Sequence, residues 1–300
     1  MTYSFSLQPP VSRQIRHLVR QQVQGAIDSL NLAHGPEIVR IHEARKHLKK
    51  SRAVLALARK GRSDGVRKLD AALKQVAHKL APFRDADSLQ LVLLQLQRDY
   101  EAEHGSQLFE AARTLLEQRN LSQGLVASAF EETVPELIAT LRKFLIGSDR
   151  WDLPGTTPTS LFKQIRARYG QGRARMRAAM ESSDVETIHS WRKAAKDHWY
   201  HMRLLKKSWP RLIQARAIDC STLCDFLGKD HDLGLLLEVI RNGFARDGAE
   251  EFKPLLWLME HERTRIQAQA FSLGRLIFAE KKQALSQRLF SYWKTWRSRS

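Results

Sequence analysis

Two stretches of this chain carry the same set of side chains able to grip an oxyanion. Residues 41–55 read IHEARKHLKKSRAVL and residues 188–202 read IHSWRKAAKDHWYHM. Each has a His, an Arg three positions on, a Lys beside it, and a further Lys seven after the His. These are His42, Arg45, Lys46 and Lys49 in the first copy and His189, Arg192, Lys193 and Lys196 in the second. Guanidinium forks hold two oxygens at once, and ammonium groups add point charge. Repeated along a helix, the pattern suits a ligand with many negative oxygens and nothing else to read.

The elements that must carry these groups are helices. Apolar residues recur at spacings of three and four, alternating runs are scarce, and Gly and Pro fall between periodic segments. The pattern predicts an all-α chain with helices near 11–31, 37–60, 65–81, 84–104, 106–120, 123–146, 159–180, 184–208, 211–227, 231–246, 250–273 and 275–297. Pro36 suits the first turn of the first motif helix, and Gly61 follows its last residue. Ser183 and Glu186 form a capping-box pattern before the second motif helix, and Pro210 is expected to stop it.

At about 100° per residue, His42, Arg45, Lys46, Lys49, Lys50 and Arg52 fall within roughly a 160° arc, leaving Ile41, Leu48 and Leu55 to face the core. In the second copy Arg203 and Lys207 extend the stripe, with Tyr200 beside it. The preceding helices are striped too, by Arg13, Arg16 and Arg20 in one and by Lys163, Arg166, Arg173 and Arg177 in the other.

Charge is distributed accordingly. The 300 residues carry a net +18, with +8 over residues 1–60, −1 over 61–146, +7 over 147–210 and +4 over 211–300. Like charges at i,i+4 repel by a few tenths of a kcal/mol per pair. Concentrating them in the first two helices of each half is therefore read as a binding surface rather than a solvated face. The ligand classes are polyphosphorylated molecules, nucleic acid or an anionic surface.

Three landmarks recur in order: QIR at 14–16 and 164–166, the motif copies, then FRDAD at 83–87 and GKDHD at 228–232. The predicted organisation is two helical-bundle repeats, 1–146 and 161–300, joined by a turn-rich linker at 147–160 and related by a pseudo-twofold.

Other chemistry finds little support. Cys220 and Cys224 read as idle thiols, too few for a zinc site or a disulfide scaffold. Asp85, Asp87, Asp230 and Asp232 read as caps or ion-pair partners rather than metal ligands. His231-Asp232 is the dipeptide of HD phosphohydrolases, but the matched place in the first half is Ala86-Asp87. No phosphate loop, nucleophile elbow or His-Glu-x-x-His motif occurs. His42 and His189 stay open among neutral junction partner, phosphate donor and acid/base. No signal peptide is evident, and no run approaches the roughly 18 apolar residues of a membrane span. A cytoplasmic chain with 43% hydrophobic residues, no membrane insertion and no cofactor or metal is expected.

The duplicated His-x-x-Arg-(x)3-Lys pattern, followed in each half by an Arg/Lys-Asp-x-Asp element, resembles the CHAD family (conserved histidine α-helical domain) over essentially the whole chain. The resemblance implies two four-helix bundles about a basic central cavity, binding of inorganic polyphosphate, and association with polyphosphate granules. Some members carry a fused triphosphate tunnel metalloenzyme domain, for which this length leaves no room. By position it assigns the ligand to His42, Arg45, Lys49, Lys50 and Arg52, to His189, Arg192, Lys196 and Tyr200, and to Arg84 and Lys229. Asp197 and Trp199 depart from the family's basic pattern. A non-enzymatic polyphosphate binder is the leading expectation, ahead of an RNA or DNA binder and of a phosphohydrolase.

Overall fold

The computed structural model describes every residue except 1–2, 33–34, 59–63, 123–125, 149–150, 152, 154, 183, 244–248 and 299–300, and places residues 84–87, 120–122, 126–128 and 249–251 without their side chains. The chain is all-α: among the described residues there are eleven helices and no strand. They are α1 (Val11–Leu30), α2 (Glu37–Leu55), α3 (Asp64–Lys79), α4 (Ala81–His104), α5 (Gln107–Ser122), α6 (Val126–Gly147), α7 (Pro158–Ser182), α8 (Val185–Leu205), α9 (Pro210–Gly243), α10 (Ala249–Ile277) and α11 (Lys282–Arg297).

Local chemistry sets the ends of the two motif helices. Pro36 precedes α2 with ψ 135° and supplies no side-chain cap. The helix is shorter than its periodicity predicts. After Leu55 the bonds tighten to i→i−3, with Leu57 N–H to Val54 O and Ala58 N–H to Leu55 O. Leu57 and Ala58 are drawn into the core by that tighter turn. Gly61 and Ser183 lie outside the described residues. The cap of α8 is Asp184, whose carboxylate accepts the Thr187 N–H at 2.7 Å. Such caps stabilise a helix start by about 1 kcal/mol. Pro210 stands at the first position of α9, where its missing N–H costs nothing.

One predicted break is absent, and another, expected at Gly274, falls after Ile277 instead. The expected helices at 211–227 and 231–246 form one 34-residue helix, α9. The matched junction in the first half is broken at Leu80, where Pro82 near the start of α4 cannot donate to α3. Around Gly228 there is no proline, so the ladder runs on. Gly274 likewise lies inside α10. A Cβ there would meet Trp191 Cζ2 at 2.5 Å, so glycine is required for packing against a fully buried Trp.

α1 packs on α2 and α6, α7 packs on α8 and α11, α9 lies between α8 and α10 and also meets α4, and α2 touches α8. One core cluster draws on both halves, from Phe5 and Ile15 through Leu48 and Trp191 to Trp293. A second sits between α4, α5, α9 and α10 around Leu93, Phe109, Leu236 and Met259. Ile41, Leu48 and Leu55 are buried, as the helical arc requires. His201 Nε2 donates to Ala53 O at 3.2 Å, tying α8 to α2. No helix among the described residues is long and apolar enough to cross a membrane.

Candidate functional site: a cationic channel between the two motif helices

Burying Leu48 on α2 and Trp191 on α8 turns the cationic faces of both helices toward one space. That space is a cavity of about 610 Å³. Its lining contains Arg45, Lys49 and Arg52 from α2 and His189, Arg192, Lys193, Lys196, Asp197 and Tyr200 from α8. α7 adds Arg168 and Arg175, α3 adds Asp70, Lys74 and His78, and α9 adds His231. Nine Lys and Arg thus face two carboxylates.

A second cavity of about 500 Å³ is lined by His42, Lys46, Trp199, Asp225, Lys229 and Asp232. It shares Arg45, Lys49, Arg192, Lys196 and Tyr200 with the first. These five residues line both cavities, so the two chambers adjoin and the two stripes face one shared space, a channel between α2 and α8 with these residues at its neck. The matched Lys of each motif copy, Lys49 and Lys196, stand together in that neck.

Neighbouring helices fix several of these cations. Arg45 Nη1 donates to Ala77 O at 2.7 Å, near the negative C-terminal end of α3. Arg52 Nε meets Asp70 Oδ1 at 3.1 Å. Arg168 lies 3.7 Å from Asp197, and Arg175 donates to Ser190 O at 3.3 Å. In the smaller chamber Lys46 bonds Glu43 at 2.9 Å.

Crowding of like charges shows in the titrating groups. Lys193 is held below the usual lysine range by burial, then by Arg175, Arg52 and Lys74. His189 is pushed down to about 4 by burial, then by Lys193, His231, Arg192 and Lys49. Its ring stacks on His231 at 4.6 Å, and its buried Nδ1 has no hydrogen-bond partner among the described residues. In the free protein this His is therefore neutral, which leaves phosphate recognition to a neutral N–H or to protonation induced by an anion. Asp197 is raised by burial, against the pull of Arg168, Arg52 and Arg175. Burial also lifts the Tyr200 phenol well above its ordinary value, so it keeps its proton.

The two motif histidines are not equivalent. His42 is exposed at the rim of the smaller chamber, whereas His189 sits half-buried in the larger. Arg20, Lys50 and Arg203 line a different cleft altogether. Lys50 lies at the far edge of the helical arc from Arg52, which puts it on the other flank of α2. Arg13, Arg16, Lys163, Arg166, Arg173, Arg177 and Lys207 line neither chamber. Arg166 bonds Gln283 of α11 at 3.0 Å instead, and Arg173 approaches Tyr169. The Arg84 side chain and those of Asp85 and Asp87 lie outside the described residues.

Residues not anticipated from sequence are Lys74 and His78 on α3, Arg168 and Arg175 on α7, and His231. Arg168 and Arg175 are seven apart, the same interval as Arg166 and Arg173. Both pairs read as stripes, and only the docking of α7 on α8 and α11 selects between them. Asp230 does not cap a helix. It is buried in α9 and accepts from Arg263 Nε at 3.1 Å and Gln267 Nε2 at 2.8 Å. Among the described residues, no group of three His, Cys, Asp or Glu is placed to hold a metal ion. Cys220 and Cys224 are buried free thiols, Cys220 pushed up to about 12 by burial.

The family model of the CHAD domain matches residues 13–241, and the chain belongs to that family. Polyphosphate binding is the known role of the family. The fold is similar to two solved structures. PptA from Streptomyces chartreusis is 14% identical with a TM-score of 0.63, covering 91% of this chain and 100% of its own. The CHAD domain from the plant Ricinus communis is 15% identical with a TM-score of 0.56, covering 92% of this chain and 94% of its own. None of the curated proteins matches the sequence.

Proposed function

We propose that the chain binds inorganic polyphosphate along the channel between α2 and α8, as a binder rather than a catalyst. The observation that carries this reading is the convergence of cations from α2, α3, α7 and α8 on one channel with few opposing carboxylates. Polyphosphate offers closely spaced oxyanions and no bases. Arg45, Arg192 and Arg52 supply forks, while Lys49, Lys196, Lys193 and Lys74 supply point charge. Nucleic acid is the weaker fit. Base stacking needs free ring faces beside the cations. Of the two aromatics lining the chambers, Tyr200 is buried, and half-buried Trp199 stacks on Tyr200 at 4.9 Å and carries Arg203 at 5.1 Å. The matched helices α2 and α8 are read as a duplication that gives a long anion a cationic wall on each side. α7 adds Arg168 and Arg175, where its counterpart α1 adds nothing among the described residues. Association with polyphosphate granules would follow from such binding.

Titration with long-chain polyphosphate across a salt series tests the proposal. By analogy with DNA, roughly six to ten phosphate contacts give a loss of affinity on the order of 10³–10⁵ between about 50 and 200 mM salt. Failure to bind at moderate salt, or preference for RNA or DNA of equal charge in competition, overturns it. Release of phosphate on incubation with divalent metals would overturn the non-catalytic part.

Asp197 gives a second check. It faces the larger chamber and holds Arg168. Asp197→Asn removes a negative charge from the path and frees a guanidinium, so affinity rises about three- to tenfold. An unchanged or lowered affinity would place the ligand away from this wall.

A further inference from the structure

The cations do not stop at the smaller chamber. One turn beyond Lys46 on α2 stands Lys50, and one turn beyond Trp199 on α8 stands Arg203. Both line a separate cleft of about 940 Å³ on the other flank of α2, with Arg20, Lys206, His47 and Tyr3. Arg203 joins the two spaces. Its Cζ lies 5.1 Å from the ring centre of Trp199, which lines the smaller chamber, and 5.6 Å from that of Tyr3, which lines the cleft.

Lys50 distinguishes this cleft from a solvated basic face. The residue is only 8% exposed, and its ammonium lies 5.9 Å from the Tyr3 ring centre. No hydrogen bond or ion pair reaches that ammonium from the described residues. Burial, then Arg203 and Lys46, push it down to about 8. An ammonium withdrawn from water without a partner is costly, and the Tyr3 ring offsets only part of that. A phosphate oxygen in the cleft would offset the rest. The carboxylates nearby are engaged elsewhere: Asp28 accepts from Gln24 at 2.7 Å and Glu43 from Lys46 at 2.9 Å.

We propose that this cleft is a second phosphate-chain site, taking the part of a long polyphosphate chain that leaves the channel past Trp199. Long chains are then held by Lys50, Arg203 and Lys206 as well as by the channel, and short chains by the channel alone. The protein thereby favours long chains. This inference rests on the polyphosphate reading of the channel.

The test compares tripolyphosphate with long-chain polyphosphate on the full chain. Lys50→Met combined with Lys206→Glu leaves tripolyphosphate affinity within about twofold and weakens the long chain about tenfold or more. Lys49→Glu combined with Lys196→Glu, in the neck, loses both ligands. If the unaltered protein binds neither, the polyphosphate reading itself fails. If it binds both and the Lys50/Lys206 variant keeps the same ratio of affinities, only the second site fails. A measurement without substitution gives the same decision. Amine acylation at pH 8, read by mass spectrometry, should label Lys206, the more exposed lysine of the cleft, in the free protein. Long-chain polyphosphate should protect it and tripolyphosphate should not. Equal protection by both, or by neither, overturns the second site.

Discussion

Reversing Lys49 and Lys196 to Glu reduces polyphosphate affinity by at least two to four orders of magnitude while leaving the protein folded. The two lysines hold matched positions in the motif copies and share the neck of the channel. Two charge-assisted contacts are worth about 1.5–3 kcal/mol each, which is a factor of on the order of 10²–10⁴ together. Reversal adds repulsion where the two chambers adjoin. The stability signature runs the other way. Lys49 is among the cations that depress His189, so removing it relieves crowding in the free protein, and the melting temperature should hold or rise. Binding isotherms and thermal melts on the same samples check both halves of the expectation. A folded double variant that binds like the parent would move the site out of the channel.

The second large effect is a loss of stability in mild acid, set by buried histidines. His201 is fully buried, donates to Ala53 O, and is pushed down to about 4 by that burial. His198, also buried, is held well below its ordinary value by burial and by Arg216. Above the unfolded value near 6.5 both states leave these rings neutral, and no stability depends on them. As pH falls toward 4, the unfolded chain takes up protons that the folded chain refuses, so stability declines through that window. For His201 alone the loss reaches about 3 kcal/mol by pH 4. Asp197, raised by burial, acts in the opposite sense and offsets part of the decline. Urea denaturation at pH 7.5 and pH 5 measures the change, and His201→Gln should flatten it. An NMR titration that found every histidine ring protonating near pH 6.5 would overturn the account.

Much of the architecture is legible in the chain because helices are encoded locally. The spacing of Ile41, Leu48 and Leu55 fixes which flank of α2 is buried, and that alone points Arg45, Lys49 and Arg52 away from the core. Where the reading failed, the deciding contact was distant in sequence. Gly228 and Gly274 look like punctuation, yet the first merely lies in a helix with no proline to interrupt it, and the second makes room for Trp191 from another helix. Asp230 reads as either a cap or an ion-pair partner, and the structure selects the second, buried against Arg263.

The candidate site divides in the same way. The duplicated motif determined that this protein has two cationic helices, and a net charge of +18 pointed to an anionic partner. Neither could say which of the two arginine stripes on α7 faces α8, because helical periodicity is the same for Arg166 and Arg173 as for Arg168 and Arg175. Nor could they separate Lys50 from Lys49, adjacent residues that the packing of α1 and α8 sends into different clefts. Local spacing sets direction about a single helix axis. Only the docking of one helix on another converts direction into a shared space, and that step made two stripes into one channel.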